Sequence, residues 1–177
     1  LFWSTMIHTI KRNWLNIILL AIIIAMLIQR LPSWLEAWKL QGQKAPNFLA
    51  QTLDGTQVSI PETLPKPGAI IFWATWCGPC TLELSRIKSM VENKELDPNQ
   101  IRAISIGENL SLVQKTVNER KYNFPVLIDT QETSAKLYKV FATPTIILFN
   151  EKGEIDWVGT GISPTLSIRL KTLGKKK

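Results

Sequence analysis

The chain has 177 residues, enough for one domain with a hydrophobic core plus a short appendage. Its net charge of +7 lies at the two ends of the chain, so the central part is neutral and a nucleic-acid-binding surface is disfavoured. The two cysteines, Cys77 and Cys80, and the single histidine, His8, are too few for a structural zinc site. Because His8 lies far upstream, Ser/His/Asp and Cys/His catalytic arrangements are excluded from the rest of the chain as well.

Near the N-terminus, an uncharged apolar stretch covers residues 14–28 and follows Lys11-Arg12. As a helix it spans about 22 Å, less than the ~30 Å hydrocarbon core, and extension to Leu31 lengthens it. We predict a single transmembrane anchor over 14–31, with a cleaved signal peptide and a buried core helix as the alternatives. The segment after it lacks the small-residue pattern of a cleavage site. Because Lys11-Arg12 precede the span, the positive-inside bias places the N-terminus in the cytoplasm and the domain outside.

These features divide the chain into five predicted segments. They are a cytoplasmic N-terminus (1–13), the anchor (14–31), a linker (32–44), a folded domain (45–174) and a basic tail (175–177).

Within the domain, strand and helix patterns alternate and then end in a hairpin and a helix. Two alternating apolar stretches flank Asp54-Gly55, which predicts a first β-hairpin. A continuous apolar run at 69–73 predicts a strand buried on both faces of a sheet, and 101–106 is interpreted as another buried strand. The other predicted strands cover 126–128, 145–150 and 155–159, and the predicted helices cover about 79–91, 110–121, 129–140 and 163–174. This order predicts an α/β fold with a central mixed sheet and helices on both faces.

Two helix starts have local signatures. Asp129 with Glu132 resembles a capping box, in which two side chains satisfy the first free N–H groups of a helix. Ser163-Pro164 has the order of an N-cap residue followed by a proline in the first turn.

The run Trp76-Cys77-Gly78-Pro79-Cys80 connects a buried predicted strand to the helix that follows. Cys77 would precede the helix, where free N–H groups and the positive end of the dipole favour a thiolate. Cys80, one turn later, would attack a mixed disulfide formed on Cys77. Gly78 lets a partner backbone approach, and Pro79 has no N–H to leave unsatisfied at the helix start. A structural disulfide over so short a loop would stabilise little, so the position favours redox function over a structural disulfide or a metal clip.

A second element, Thr143-Pro144-Thr145, opens a predicted strand. Proline is permitted at the first residue of a strand, so a plain edge-strand start is one interpretation. The functional interpretation is a cis-proline loop packed against the disulfide, with Thr143 offering backbone groups to a partner chain.

Together these motifs resemble the thioredoxin superfamily, and in detail its membrane-anchored extracytoplasmic branch, the TlpA/ResA-like thiol-disulfide oxidoreductases. The resemblance covers residues 45–165 and rests on seven short sequences in order: APNF with LDG, FWAT before WCGPC, SIGE, NFPV after an extra helix, and NEKG. It implies a thioredoxin-like fold and a protein-disulfide reductase that uses the Cys77–Cys80 disulfide, without a separate cofactor or metal.

The same resemblance implies roles for two carboxylates. Thioredoxin carries a buried Asp six residues before the first cysteine, where this chain has Ile71. In the TlpA/ResA-like branch an acidic residue three positions after the second cysteine serves instead, and this residue is Glu83. It would share a helix face with Cys80 and accept its proton, unless it is an ordinary solvated carboxylate. Glu108 matches a second acidic position of the branch.

The implied enzyme lies in the bacterial inner (cytoplasmic) membrane as a single-pass protein with its domain facing the periplasm. It would reduce disulfides of extracytoplasmic proteins, with apocytochrome c in cytochrome c maturation as the client that the family suggests, and a membrane thiol electron donor would re-reduce it. The alternatives are a disulfide oxidase or isomerase, a non-catalytic binding module and a thiol peroxidase. Peroxiredoxins share the opening motifs, but Ile70 and Ala74 stand where their active site requires Pro and Thr.

Overall fold

The computed structural model describes residues 14–28 and 39–175. The chain separates into two compact units, Leu1–Glu36 and Ala37–Lys177.

The N-terminal unit contains helix α1, over residues 14–28, whose side chains are exposed. Among the described residues, no helix is both long and apolar enough to cross a membrane. The predicted anchor over 14–31 ends outside the described residues and stays a prediction. The predicted N-terminus (1–13) and the last two residues of the predicted tail also lie outside them.

The second unit alternates strands and helices in the predicted order. Its strands are β1 (Phe48–Thr52), β2 (Gln57–Ile60), β3 (Gly68–Trp73), β4 (Ile101–Ile106), β5 (Val126–Asp129), β6 (Thr145–Phe149) and β7 (Ile155–Thr160). Its helices are α2 (Gly78–Glu92), α3 (Leu110–Arg120), α4 (Thr133–Leu137) and α5 (Leu166–Lys175), with a short 3₁₀ turn at Pro98–Gln100.

The strands of the described unit form one mixed sheet in the order β2-β1-β5-β4-β3-β6-β7. β3 is parallel to β4 and antiparallel to β6, and β5 is parallel to β4 and antiparallel to β1. Every residue of β3 is buried, because the strand has neighbours on both sides and both of its faces are covered. The predicted α/β fold with a mixed sheet is confirmed.

Alternate residues of β3 enter two separate core clusters, since successive side chains point to opposite faces. Ile71 and Trp73 pack with residues of α2, α3 and α5. Ile70 and Phe72 pack on the other face with Tyr138, which follows α4, and with the β1–β2 hairpin. Fully burying one side chain of this size contributes about 1.5–3 kcal/mol. The two clusters therefore fix β3, and with it the start of α2, from both sides.

The predicted hairpin at Asp54-Gly55 is confirmed, and β1 pairs with β2 in antiparallel register. The Asp54 carboxylate accepts hydrogen bonds from the Thr52 hydroxyl and from the Thr56 N–H, the latter at 2.9 Å. These bonds lower the pKa of Asp54 below its ordinary value because they favour the ionised carboxylate. Gly55 adopts a φ of 94°, which a glycine tolerates without strain.

The predicted capping box at the start of α4 is wrong. The buried Asp129 carboxylate alone accepts the N–H groups of Thr133 and Ser134, at 3.0 and 2.7 Å. Glu132 makes no capping hydrogen bond, and its backbone is left-handed with a φ of 56°. The Asp129 carboxylate at the end of β5 therefore caps the helix without the predicted partner Glu132. The helix is also shorter than predicted.

Helix α5 begins at Leu166, later than the predicted start at Ser163-Pro164. The Ser163 N–H donates to Glu83 of α2 at 2.7 Å, and the Ser163 carbonyl accepts the Leu166 N–H at 3.2 Å in a turn. The contact with α2 holds Ser163 outside the helix, so the local N-cap signature does not decide where α5 begins.

The compact unit extends further toward the N-terminus than the predicted domain start at residue 45. Leu40 is buried in the second core cluster. Gly42 N–H donates to the Ile155 carbonyl at 2.8 Å, and Ile155 N–H donates to the Gln43 carbonyl at 2.9 Å. Residues 39–44 of the predicted linker therefore pack on the domain.

Tyr138 anchors the second cluster to the incoming chain. Its ring lies 5.7 Å from that of Phe48 and 5.7 Å from that of Phe72, and its hydroxyl donates to the Pro46 carbonyl at 2.9 Å. Burial raises the pKa of Tyr138 well above its ordinary value, because the phenolate would lose its hydration.

Tyr138→Phe should lower the free energy of unfolding by about 1 kcal/mol at neutral pH, through loss of the hydrogen bond. The native state keeps the phenol neutral, so its contribution is complete below the unfolded pKa of about 10 and is lost as the pH rises above it. The difference in free energy of unfolding between wild type and Tyr138→Phe should therefore close or reverse above that pH. Urea unfolding at neutral and alkaline pH measures it, and a gap that is independent of pH would contradict the assignment.

Candidate active site

Cys77 lies where β3 passes into α2. Strand β3 ends at Trp73, and the Cys77 N–H donates to the Ala74 carbonyl at 3.2 Å, which closes a tight turn. Cys77 is the N-cap residue of α2, and its Sγ accepts the Cys80 N–H at 3.2 Å. Pro79 lies in the first turn, where no N–H is needed. The helix N-terminus would therefore stabilise a negative charge on the Cys77 sulfur.

The sulfur atoms of Cys77 and Cys80 are joined in a disulfide. Cys80 is 0% exposed, whereas Cys77 keeps 4% exposure between exposed neighbours. Trp76 is 79% exposed, and a Cβ on Gly78 would meet no described atom within 4 Å apart from its chain neighbours and the backbone of α2. A partner can thus reach Cys77 but not Cys80, which gives Cys77 the position of an attacking thiol and Cys80 that of a resolving thiol.

The loop at Thr143-Pro144 packs against this disulfide, as predicted. The peptide bond between the two residues is cis. The carbonyl oxygen of Thr143 lies 3.4 Å from Cys77 Sγ, and the carbonyl of the buried Pro144 accepts the Gly161 N–H at 2.8 Å. The loop therefore links the reactive sulfur to the connection between β7 and α5. Pairing of Thr143 with a partner chain stays a prediction.

Glu83 lies one turn after Cys80 on α2 and is 0% exposed. Its Oε1 accepts the Ser163 N–H at 2.7 Å, and Arg86 Nη1 lies 3.1 Å from its Oε2. The alternative of a solvated carboxylate is therefore wrong for this residue. A carboxylate without access to water needs such partners to remain ionised. Its role as proton acceptor for Cys80 stays a prediction.

Glu108 holds the turn that precedes Cys77. The Thr75 N–H lies 2.9 and 3.1 Å from its two carboxylate oxygens, and the Thr75 hydroxyl donates at 2.5 Å. The Ser105 hydroxyl donates at 2.6 Å, and Glu108 is only 7% exposed. Glu108 thus acts on the position of Cys77 through Thr75 and makes no described contact with either sulfur.

Sequence reasoning did not single out Thr75, Ser105 or Arg86. Arg86 follows Glu83 by three residues on one helix, a spacing that allows an ion pair and was a usable signal. Thr75 gave no such signal, because its partner lies 33 residues away in the sequence.

The chemistry that this arrangement supports is thiol–disulfide exchange, in which a thiolate attacks a disulfide sulfur and forms a mixed disulfide. The helix N-terminus favours the thiolate, and the buried second sulfur is close enough to resolve the intermediate. Within residues 14–28 and 39–175, no group of three or more His, Cys, Asp or Glu side chains is placed to hold a metal ion.

The model of the AhpC/TSA family matches residues 41–158, more than half of the chain. The chain belongs to the AhpC/TSA family. The matched segment of this AhpC/TSA protein includes the disulfide, both carboxylates described above and the cis-proline loop.

Relatives of this AhpC/TSA protein are thiol-disulfide oxidoreductases. It is 30% identical over 148 residues to sporulation thiol-disulfide oxidoreductase A of Bacillus subtilis, covering 82% of this chain and 88% of the relative. It is 30% identical over 154 residues to thiol-disulfide oxidoreductase ResA of Halalkalibacterium halodurans, covering 85% and 88%. The crystal structure of StoA from B. subtilis matches with a TM-score of 0.58 at 28% identity, covering 73% of this chain and 96% of StoA. The protein is a thiol-disulfide oxidoreductase of thioredoxin-like fold.

Proposed function

We propose that this protein is a membrane-anchored extracytoplasmic reductant of protein disulfides. The observation that carries the proposal is the disulfide at the start of α2, in which Cys77 keeps 4% exposure beside the exposed Trp76 and Cys80 is fully buried. The Gly-Pro pair between the cysteines resembles that of reducing thioredoxins, which favours a reductant over an oxidase or isomerase.

In the proposed cycle the Cys77 thiolate attacks a client disulfide, and one client sulfur leaves as a thiolate. The Cys80 thiol then gives its proton to Glu83, and its sulfur attacks the Cys77 sulfur of the mixed disulfide. The second client sulfur leaves with the electron pair, so two electrons pass to the client and the Cys77–Cys80 disulfide closes. A membrane thiol donor returns two electrons, and no further cofactor takes part.

The surface around Cys77 is apolar, which favours an extended client segment. Trp76 precedes Cys77 and is 79% exposed, and Phe141 precedes the cis-proline loop and is 66% exposed. Ile162 follows β7 at the same edge of the sheet and is 49% exposed. Exposed apolar side chains mark a contact surface where they form one contiguous patch. A cysteine-containing segment of an unfolded protein, such as an apocytochrome c, is a client of this kind.

The proposed location is the bacterial inner (cytoplasmic) membrane, with the domain on the periplasmic side. The apolar stretch at 14–28 and the preceding Lys11-Arg12 support it. Fractionation of cells that produce the chain with and without residues 1–31 tests it. Recovery of the complete chain outside the membrane fraction would contradict the anchor.

Insulin reduction in the presence of a dithiol donor tests the function. Wild type should accelerate precipitation of the insulin B chain, and the variant with Cys77→Ala and Cys80→Ala should not. The midpoint potential should lie near that of thioredoxin, about −270 mV, because a reductant needs a stable disulfide. A potential near about −120 mV would favour an oxidase, and an inert protein would favour a binding module.

A further inference from the structure

Arg86 connects two parts of the active site through one nitrogen atom. Its Nη1 lies 3.1 Å from Glu83 Oε2 and 3.4 Å from Oε1. The same Nη1 donates to the Ser163 carbonyl at 3.1 Å, while the Ser163 N–H donates to Glu83 at 2.7 Å. The backbone of Ser163 is therefore held at its N–H by Glu83 and at its carbonyl by Arg86.

The side chains of Glu83 and Arg86 differ in how far water can reach their charged groups. Glu83 has a side-chain exposure of 0%, and Arg86 one of 33%. A carboxylate without water remains ionised only where a cation and hydrogen-bond donors replace its hydration. Arg86 supplies the cation and Ser163 supplies an uncharged donor. Cys80 precedes Glu83 by one turn on the same helix.

The segment that Arg86 holds is part of the surface around Cys77. Ser163 follows Ile162, and the preceding Gly161 donates its N–H to the Pro144 carbonyl at 2.8 Å. One arginine therefore contacts both the carboxylate one turn after Cys80 and the segment after β7, which is itself bonded to the cis-proline loop through Gly161.

We propose that Arg86 is a positioning residue that keeps Glu83 ionised and so sets the pH range in which Cys80 resolves mixed disulfides. This inference rests on the proposed function. During resolution the Cys80 proton passes to Glu83, the Cys80 sulfur bonds to the Cys77 sulfur, and the client sulfur leaves with the electron pair. Arg86 keeps its own proton throughout. Without its charge, the buried carboxylate would lose a cation that replaces its hydration, and a protonated carboxyl cannot accept the proton of Cys80.

Arg86→Met tests this, since it keeps the apolar stem and removes the charge. The rate of insulin-disulfide exchange measured across pH should show a midpoint about one unit higher than in wild type. Below the wild-type midpoint the rate should fall about tenfold. Arg86→Lys should restore the midpoint, because it returns a cation. In a Glu83→Gln background, Arg86→Met should cause no further shift of the profile.

Lys88→Met is the matched control on the same helix. Lys88 Nζ lies 3.0 Å from Glu92, whose side chain is half-exposed. Loss of this surface ion pair should therefore leave the pH profile of the exchange rate unchanged. An Arg86→Met profile that superposes on that of wild type would overturn the inference and leave the exchange activity intact. A wild type that does not reduce insulin would instead overturn the proposed function.

Infrared spectroscopy of the reduced wild-type protein provides a measurement that does not depend on the folding of Arg86→Met. Glu83→Gln assigns the Glu83 band. An ionised carboxylate at neutral pH supports the inference, and a protonated carboxyl there overturns it.

Discussion

Cys80→Ala should turn the protein into a trap that holds clients as mixed disulfides through Cys77. Cys77 keeps its 4% exposure beside the exposed Trp76 and stays at the helix N-terminus, so attack on a client proceeds. Resolution then loses its intramolecular thiol and should slow by roughly a thousandfold or more. Non-reducing electrophoresis, followed by mass spectrometry of the adduct, measures the effect.

Cys77→Ala is the matched control for the trap. Cys80 is 0% exposed, so this variant should form no adduct with the same clients. Adducts through Cys80 in Cys77→Ala would contradict the assignment of Cys77 as the attacking thiol, and so would a Cys80→Ala variant without adducts.

Glu108→Ala should destabilise the folded protein while leaving both cysteines in place. It removes the acceptor for the Thr75 N–H and for the Thr75 and Ser105 hydroxyls in a site that is only 7% exposed. Buried donors without partners cost about 1–3 kcal/mol each, so the free energy of unfolding should fall by about 2–4 kcal/mol. Because Thr75 lies two residues before Cys77, we also expect exchange to slow by roughly tenfold or more.

Glu119→Ala provides the comparison for Glu108→Ala. Glu119 is a glutamate of α3 whose side chain is 62% exposed and 3.9 Å from Lys115, so its loss should change the free energy of unfolding by less than about 0.5 kcal/mol. Urea unfolding of the oxidised proteins gives both values. Equal stability of the Glu108 and Glu119 variants would show that the Thr75 turn does not depend on the carboxylate.

The elements that the sequence predicts well are those whose pattern is set by burial. The continuous apolar run of β3 is typical of a strand buried on both faces, and β3 lies beside β4 at the centre of the sheet. The turn at Asp54-Gly55 is equally local, because its hydrogen bonds join residues two to four positions apart. Such features need no knowledge of the rest of the chain.

The predicted starts of α4 and α5 are wrong because the contacts that determine these starts are not local in the sequence. Asp129 caps α4 from a buried position that the sheet determines, and Glu83 takes the Ser163 N–H across 80 residues of sequence. The same limit applies to the site. Sequence identifies Cys77 and Cys80, but it does not show that Thr75 meets Glu108, because only the packed fold brings them together.

Burial of Cys80 leaves a single sulfur through which electrons both enter and leave this protein. A thiol donor of the proposed kind would react by the same exchange as a client, run in reverse, and would also have to approach Cys77. We therefore expect donor and client to occupy one face in turn and not to be bound together. We expect such an enzyme to follow ping-pong kinetics. A large excess of either partner would then compete with the other for the surface around Cys77.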